Sequence, residues 1–318
     1  MNIQKPLIQL YKVRSFGEKI SDTFAFIGEN FKILFKHITY FLLPLCLFQA
    51  FALNGLMGNY MALFTRFSDA GTAGNGLDSM GWDSLSGILM SLVAYVVLYT
   101  VGYTLLTSII YAMMKVYERR GDRLKGIGWE ELQPQMVRNL KRGSILILVT
   151  IILSIAVLAL FALASYIAPA LILVAYVPLI AVAVPLALFM PIYQFEDDAT
   201  LWVALRKSLR LGFKTWGGIF SLLIVLSILA SVLQMITQMP WQIAVMIKMF
   251  LGMEGAENAF ISSFGYSFLV YLLSVVSSFG TYLAYSILVV GLGYQYGHAC
   301  EKIDRMTVES DIDKFEQL

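Results

Sequence analysis

Charge is scarce in this chain. Only 14% of its 318 residues are Asp, Glu, Lys or Arg, and 58% are hydrophobic, against about 25% and about 45–50% in soluble domains. Too few charged groups exist to cover a water-exposed globule, so lipid must cover part of it. A disordered chain, a nucleic-acid-binding domain and an ordinary soluble enzyme are thereby excluded. Histidine and cysteine are nearly absent, with two of each. His298 and Cys300 make one His-x-Cys pair, short of the three or four converging ligands that zinc requires. Cys46 and Cys300 supply neither a disulfide framework nor a CxxC pair. The sequence has no HExxH, no GxSxG and no P-loop. No catalytic residue, cofactor or metal is expected, and the chain is read as no enzyme.

Long apolar runs fill the space that charge leaves, and the mean hydropathy is +0.73. A bilayer core of ~30 Å is crossed by roughly 20 apolar residues in a helix. Six segments meet that length: Ile33 to Leu56, Leu85 to Met114, Ser144 to Ile167, Pro169 to Tyr193, Trp216 to Met239, and Ser262 to Gly297. Lys and Arg divide sharply between the two sides. All of the 23 but Arg66 and Lys248 fall in the N-terminal stretch, between spans two and three, between spans four and five, or in the tail. The positive-inside rule then puts both termini in the cytoplasm, and the chain reads as a multi-pass protein of the bacterial inner membrane. On the outer side, Gly58 to Ser84 reads as a solvated loop with Asp69, Asp78 and Asp83. A tight turn is expected near Ala168 and Pro169. Pro240 to Asn258 reads as a short helix at the interface.

The cytoplasmic connections carry helical apolar spacing of their own. Phe16, Ile20, Phe24, Ile27 and Phe31 form one stripe. Trp129, Leu132, Met136 and Leu140 form a weaker one, and Leu201, Trp202, Leu205, Leu209, Phe213 and Trp216 a third, with Arg206, Lys207, Arg210 and Lys214 on the opposite arc. The expected fold class is therefore an all-α polytopic membrane protein of six transmembrane helices with three amphipathic interfacial helices on the cytoplasmic side. A threefold internal repeat is expected within a single membrane domain, 1–318, with units at 15–118, 128–195 and 199–300 and a cytoplasmic tail over 301–318. Gly102-Tyr103-Thr104-Leu105 and Gly280-Thr281-Tyr282-Leu283 match at an offset that places spans two and six as equivalents. Trp202, Arg206, Lys207, Arg210, Lys214 and Trp216 are the candidate contacts to lipid headgroups, anionic ones at the cytoplasmic leaflet. Nothing identifies a protein partner, and no nucleic acid is expected.

The stretch Phe189-Met190-Pro191-Ile192-Tyr193-Gln194-Phe195-Glu196-Asp197-Asp198, followed by Ala204-Leu205-Arg206-Lys207-Ser208-Leu209 and then Phe213-Lys214-Thr215-Trp216, resembles a junction found in a loose group of bacterial six-span inner-membrane proteins. That group includes the membrane domain attached to some glycerophosphodiester phosphodiesterases. The resemblance implies the six-span architecture. The sequence holds no phosphodiesterase domain, so it implies no catalysis.

None of the six spans contains Asp or Glu. That argues against ion-coupled carriers and intramembrane aspartyl proteases, which use buried carboxylates. The spans carry hydroxyls instead. Ser267, Tyr271, Ser274, Ser278, Thr281 and Tyr285 share one face of span six, and Thr100, Thr104, Thr107 and Tyr111 one face of span two. Such stripes serve helix packing or line a polar groove, whereas Val289 is expected to face lipid. Pro178 and Pro185 should bend span four, and Glu196, Asp197 and Asp198 should cap the helix that follows. The leading functional expectation is a non-enzymatic membrane protein in envelope or lipid homeostasis, or a scaffold. The alternative is a carrier or exporter of an amphiphilic small molecule or lipid, using a groove between spans two and six.

Overall fold

The computed structural model describes residues 7–73, 82–120, 124, 126–167, 170–253, 260–261 and 263–306. Among them, all regular structure is α-helical: α1 (Phe16–Ala73), α2 (Trp82–Arg119), α3 (Trp129–Ile167), α4 (Ala170–Leu186), α5 (Phe189–Phe195), α6 (Leu201–Lys214), α7 (Trp216–Met253) and α8 (Phe264–Asp304). Six stretches are long and apolar enough to cross a membrane, one each in α1, α2, α3, α7 and α8 and one over Pro178–Phe195. The chain is a multi-pass membrane protein. The turn at Ala168 and Pro169, residues 74–81, the side chains of Asp69, Asp78 and Asp83, and the tail beyond Met306 lie outside the described residues.

Several helices overrun the expected boundaries. α1 has 58 residues, about 87 Å at 1.5 Å per residue, and takes in the first apolar stripe, the first span and part of the expected outer loop. Its start is a capping box. The Ser15 N–H donates to Glu18 Oε2 at 2.6 Å, and Ser15 Oγ accepts from the Glu18 N–H at 3.3 Å. The stripe from Trp129 likewise runs unbroken into span three as α3. Only the third stripe is a separate helix, α6. Thr200 caps its start by accepting from the Val203 N–H, and Thr215 ends it at φ −121°, ψ 22°. The expected interfacial helix after Pro240 is instead a continuation of α7. One face of its first turns is buried, with Trp241 and Ala244 each 7% exposed where they pack with Ile261, Tyr266 and Val270, while Ile243 and Met246 on the other face are exposed. Span four does bend. α4 stops after Pro185, and Ala187 and Leu188 make a turn before α5.

Contacts sort the chain into two compact units. One holds 1–37, 104–228 and 286–318, and the other 38–103 and 229–285. In the first, Phe26 meets Tyr117 and Tyr294 edge-on at 5.2 and 6.1 Å, and Ile109, Met113 and Val290 are fully buried. Val289 is buried there as well, 1% exposed. The expectation that it faces lipid is overturned, because this end of α8 is enclosed all round. In the second unit, glycines set the closest approaches. A β-carbon on Gly102 of α2 would collide with the Tyr282 ring of α8, and one on Gly280 of α8 with the Thr237 side chain of α7.

Candidate functional site

Two constructions stand out, one in each unit. The first is built on the turn after α5. Arg142 of α3 lies 4.0 Å over the Tyr193 ring. It donates to four main-chain carbonyls: Tyr193 at 2.7 Å, Asp197 at 2.8 Å, Glu196 at 3.1 Å and Ala199 at 2.5 Å. Arg138 adds a bond to the Asp197 carbonyl at 2.5 Å and an ion pair with its carboxylate at 2.7 Å. Lys115 of α2 reaches the Phe195 carbonyl at 3.0 Å and pairs with Asp197. Burial alone would raise the Asp197 carboxyl, but the Lys115 ammonium and the Arg138 guanidinium outweigh it and hold the group below the usual carboxylate range. Glu196 accepts from the Tyr296 hydroxyl at 2.8 Å and pairs with Lys207 at 2.6 Å.

This overturns the capping role expected for the acidic triplet. Thr200 supplies the cap, while Glu196 and Asp197 tie α6, α8, α2 and α3 to the turn. It also divides the α6 cations. Lys207 pairs with Glu196 and Arg210 with Asp304, the latter at 2.8 Å. Arg206 lies 4.9 Å over the Trp202 ring, and Lys214 is exposed. The face of α6 that carries Ala204, Ser208, Leu211 and Gly212 is the buried one. Trp202 and Phe213 are 59% and 53% exposed. Trp216 turns to protein, donating from Nε1 to the Ala181 carbonyl at 3.0 Å and stacking on Phe220.

A strap ahead of α1 completes this end of the unit, and the sequence carried no sign of it. Arg14, one of the cations counted by side, is 3% exposed. Its Nε donates to Asp22 at 2.7 Å and its Nη1 to the Leu10 carbonyl at 2.9 Å, and its main-chain N–H donates to His298 Nδ1 at 2.9 Å. The Leu10 N–H donates to Glu118 at 2.7 Å. A β-carbon on Gly297 would collide with the Leu10 carbonyl, so glycine lets the strap lie against α8. Burial pushes the Tyr11 phenol on this strap up to about 12.

The second construction is a cleft of about 590 Å³ between α1, α7 and α8. Its walls are apolar: Phe51, Met57 and Met61 on α1, Val245 on α7, and Phe264 and Phe268 on α8. Polar groups are few. Lys248 reaches the cleft from α7, Asn54 from α1, and Ser267 and Tyr271 from α8. Asn54 is held in place, donating to Ser274 Oγ at 2.9 Å and accepting from Trp241 Nε1 at 3.4 Å. The Tyr271 hydroxyl donates to the Leu47 carbonyl at 3.1 Å, and its ring lies 4.6 Å from that of Phe51. Among the described residues, the lining holds no carboxylate, imidazole or thiol.

The hydroxyl stripes therefore divide among several neighbours. Ser267 and Tyr271 line the cleft, and Ser274 meets α1. Thr281 accepts from Gln234 and Gln238 of α7 at 3.5 and 3.4 Å. Ser278 is buried, and its Oγ has no hydrogen-bond partner among the described residues. Tyr285 meets Tyr99 edge-on at 6.2 Å. On α2, Thr100 donates to the Val96 carbonyl, and Thr107 accepts from Gln194 at 3.4 Å. Thr104 packs beside Gly143, and Tyr111 packs on Phe195 at 5.0 Å. Lys248 was visible in the sequence only as a charge on the sparse side, and Phe264 and Phe268 as apolar residues of a span. No family model, curated protein or solved structure matches the chain.

Proposed function

We propose that the protein is a non-enzymatic protein of the bacterial inner membrane that takes an amphiphile into the α1/α7/α8 cleft, as its holder or carrier. The cleft carries this reading. Its volume lies within the ~300–1,000 Å³ of ligand sites, its walls suit an acyl or other apolar body, and Lys248 offers a single cation for an acidic head. Binding rather than reaction fits a lining whose described polar groups are one lysine, one side-chain amide and the separate hydroxyls of Ser267 and Tyr271, with no carboxylate, imidazole or thiol to activate them. With the basic connections in the cytoplasm, Lys248 stands at the outer end of α7, so the occupant would enter from the outer leaflet or the space beyond it. The exposed Trp202, Val203 and Phe213 of α6 support an interfacial position for that helix. The equivalent glycines Gly102 and Gly280, each at a close helix contact, support the repeat. The resemblance of the 189–216 junction to six-span inner-membrane proteins points the same way.

Native mass spectrometry of the protein extracted in mild detergent tests this. A retained amphiphile is expected in the wild type. Ser267→Trp, which fills the cleft, should lose it, and Lys248→Ala should weaken retention of acidic species selectively. A wild type that retains none, or equal retention in Ser267→Trp, would overturn the proposal.

A further inference from the structure

Among the described residues, Lys19 is a buried cation without an anion. It sits in the first turn of α1, 4% exposed, and none of the ion pairs or side-chain hydrogen bonds among the described residues involves its ammonium. The charges that act on it have its own sign: Lys302, and Arg14, already committed to Asp22. Removing an ammonium from water without a partner is costly, so the surroundings of Nζ are informative.

Those surroundings are donors. Nζ lies 3.5 Å, and the Gln295 amide nitrogen 3.9 Å, from the point where a β-carbon on Gly218 would stand. Gly218 is the third residue of α7, in a first turn whose N–H groups have no partner within their own helix. That turn begins one residue after α6 ends, across Thr215, and its N–H groups carry the positive partial charge of a helix start. Among the described residues, the Gln295 amide nitrogen reaches only Thr215 Oγ1, at 3.5 Å, so it has a donor to spare, whereas its buried, unpartnered carbonyl oxygen is an acceptor and adds nothing to an anion site. One turn further along α8, His298 Nδ1 accepts the Arg14 N–H, which leaves the ring proton on Nε2. An ammonium, a side-chain amide and a helix N-terminus thus lie beside a residue with no side chain, and no carboxylate among the described residues pairs with the ammonium. Helix N-termini joined by a lysine bind phosphate by this chemistry.

We propose that Lys19, Gln295 and the first turn of α7 form an anion site for a phosphate group, carried by a lipid headgroup or free in solution. The site goes beyond the cleft reading. It lies in the other compact unit, shares no residue with the cleft, and stands or falls independently of it.

The test is thermal unfolding of the full-length protein in neutral detergent. One arm adds inorganic phosphate against chloride at matched ionic strength. The other adds dioleoylphosphatidylglycerol against dioleoylphosphatidylcholine. A rise of a few degrees in melting temperature is expected in at least one arm. A rise with both assigns a site open to free phosphate, and a rise with phosphatidylglycerol alone assigns a headgroup site. Lys19→Met should weaken the binding read from the titration at least about tenfold, the value of one charge-assisted contact, and Lys19→Arg should keep most of it. Gly218→Val leaves the lysine in place but occupies the space beside it. It should also abolish the rise, which keeps the test decisive if Lys19→Met does not fold. No rise in either arm, or the same rise in wild type, Lys19→Met and Gly218→Val, would overturn the proposal. Ser267→Trp, which blocks the cleft, should leave the rise intact.

Discussion

Arg142 reaches four carbonyls through one side chain, and geometry rather than charge makes that work. A planar guanidinium presents five donors in a fixed fork and lies flat on a ring, whereas an ammonium is a point charge with three rotating donors. Arg142→Lys keeps the charge, and Arg138 still serves the Asp197 carbonyl, but a point-like ammonium should fail to span Tyr193, Glu196 and Ala199 together, so at least one partly buried carbonyl of the 193–199 turn should lose its donor. The expected cost is roughly 1–3 kcal/mol, read as a lowered melting temperature in detergent, with no loss of membrane insertion. Retention of wild-type stability in the lysine variant would mean that the turn holds itself. None of this was legible in the sequence, where Arg142, Arg138, Lys115, Lys207 and Arg14 were topological charges only. A charge count reports the side of the membrane. It carries no information on whether a cation meets lipid phosphate or a carbonyl many residues away, and here these five meet protein.

Helices show the same division between what pattern specifies and what packing adds. The third apolar stripe was legible as a separate helix, and α6 is one, bounded by Thr200 and Thr215. The first two stripes run straight into their spans, because neither junction carries a proline or a break in helical spacing. The buried face of α6 was not legible. Apart from Leu211 it consists of small residues, Ala204, Ser208 and Gly212, which a stripe of large apolar residues does not reveal, and it docks where Gly212 meets Pro185 of α4. A β-carbon on Gly212 would lie 2.5 Å from Pro185 Cα. That atom is main chain in a helix already bent by proline, and it has nowhere to move. Gly212→Ala should therefore destabilise the α4–α6 contact by roughly 1–3 kcal/mol, although alanine is the better helix former. Proteolysis should find α6 sooner in that variant than in Gly217→Ala, where a β-carbon meets nothing within 4 Å. Equal protection of the two would show that α6 is held by its ion pairs to Glu196 and Asp304 rather than by this contact.

At the scale of the whole molecule, hydropathy was the strongest signal, and six apolar stretches in the chain match the six segments read from it. The grouping of the chain into compact units was illegible, since their limits fall inside helices, at His37, Tyr103, Ile228 and Tyr285, where no turn residue marks a boundary. The sidedness of the spans rests on the charge asymmetry, and the thiols give it a clean test. Cys46 and Cys300 are both free and fully buried, so the wild type should be almost unreactive toward a membrane-impermeant maleimide, and single introduced cysteines should report alone. Arg119, at the end of α2, has a side chain 63% exposed, and its only ion pair among the described residues, to Asp197, spans 3.8 Å, so Arg119→Cys should fold. Lys248, at the far end of α7, belongs to the sparse side. In intact spheroplasts Lys248→Cys should label at once, and Arg119→Cys only after the membrane is permeabilised. The reverse order would invert every span, put the cleft on the cytoplasmic side and set the Lys19 site against the outer leaflet. The energetic basis of the expected order is the anionic inner surface, which attracts each nearby Lys or Arg by ~1 kcal/mol. An asymmetry of all but two of the 23 basic residues outweighs any opposing preference of a single loop.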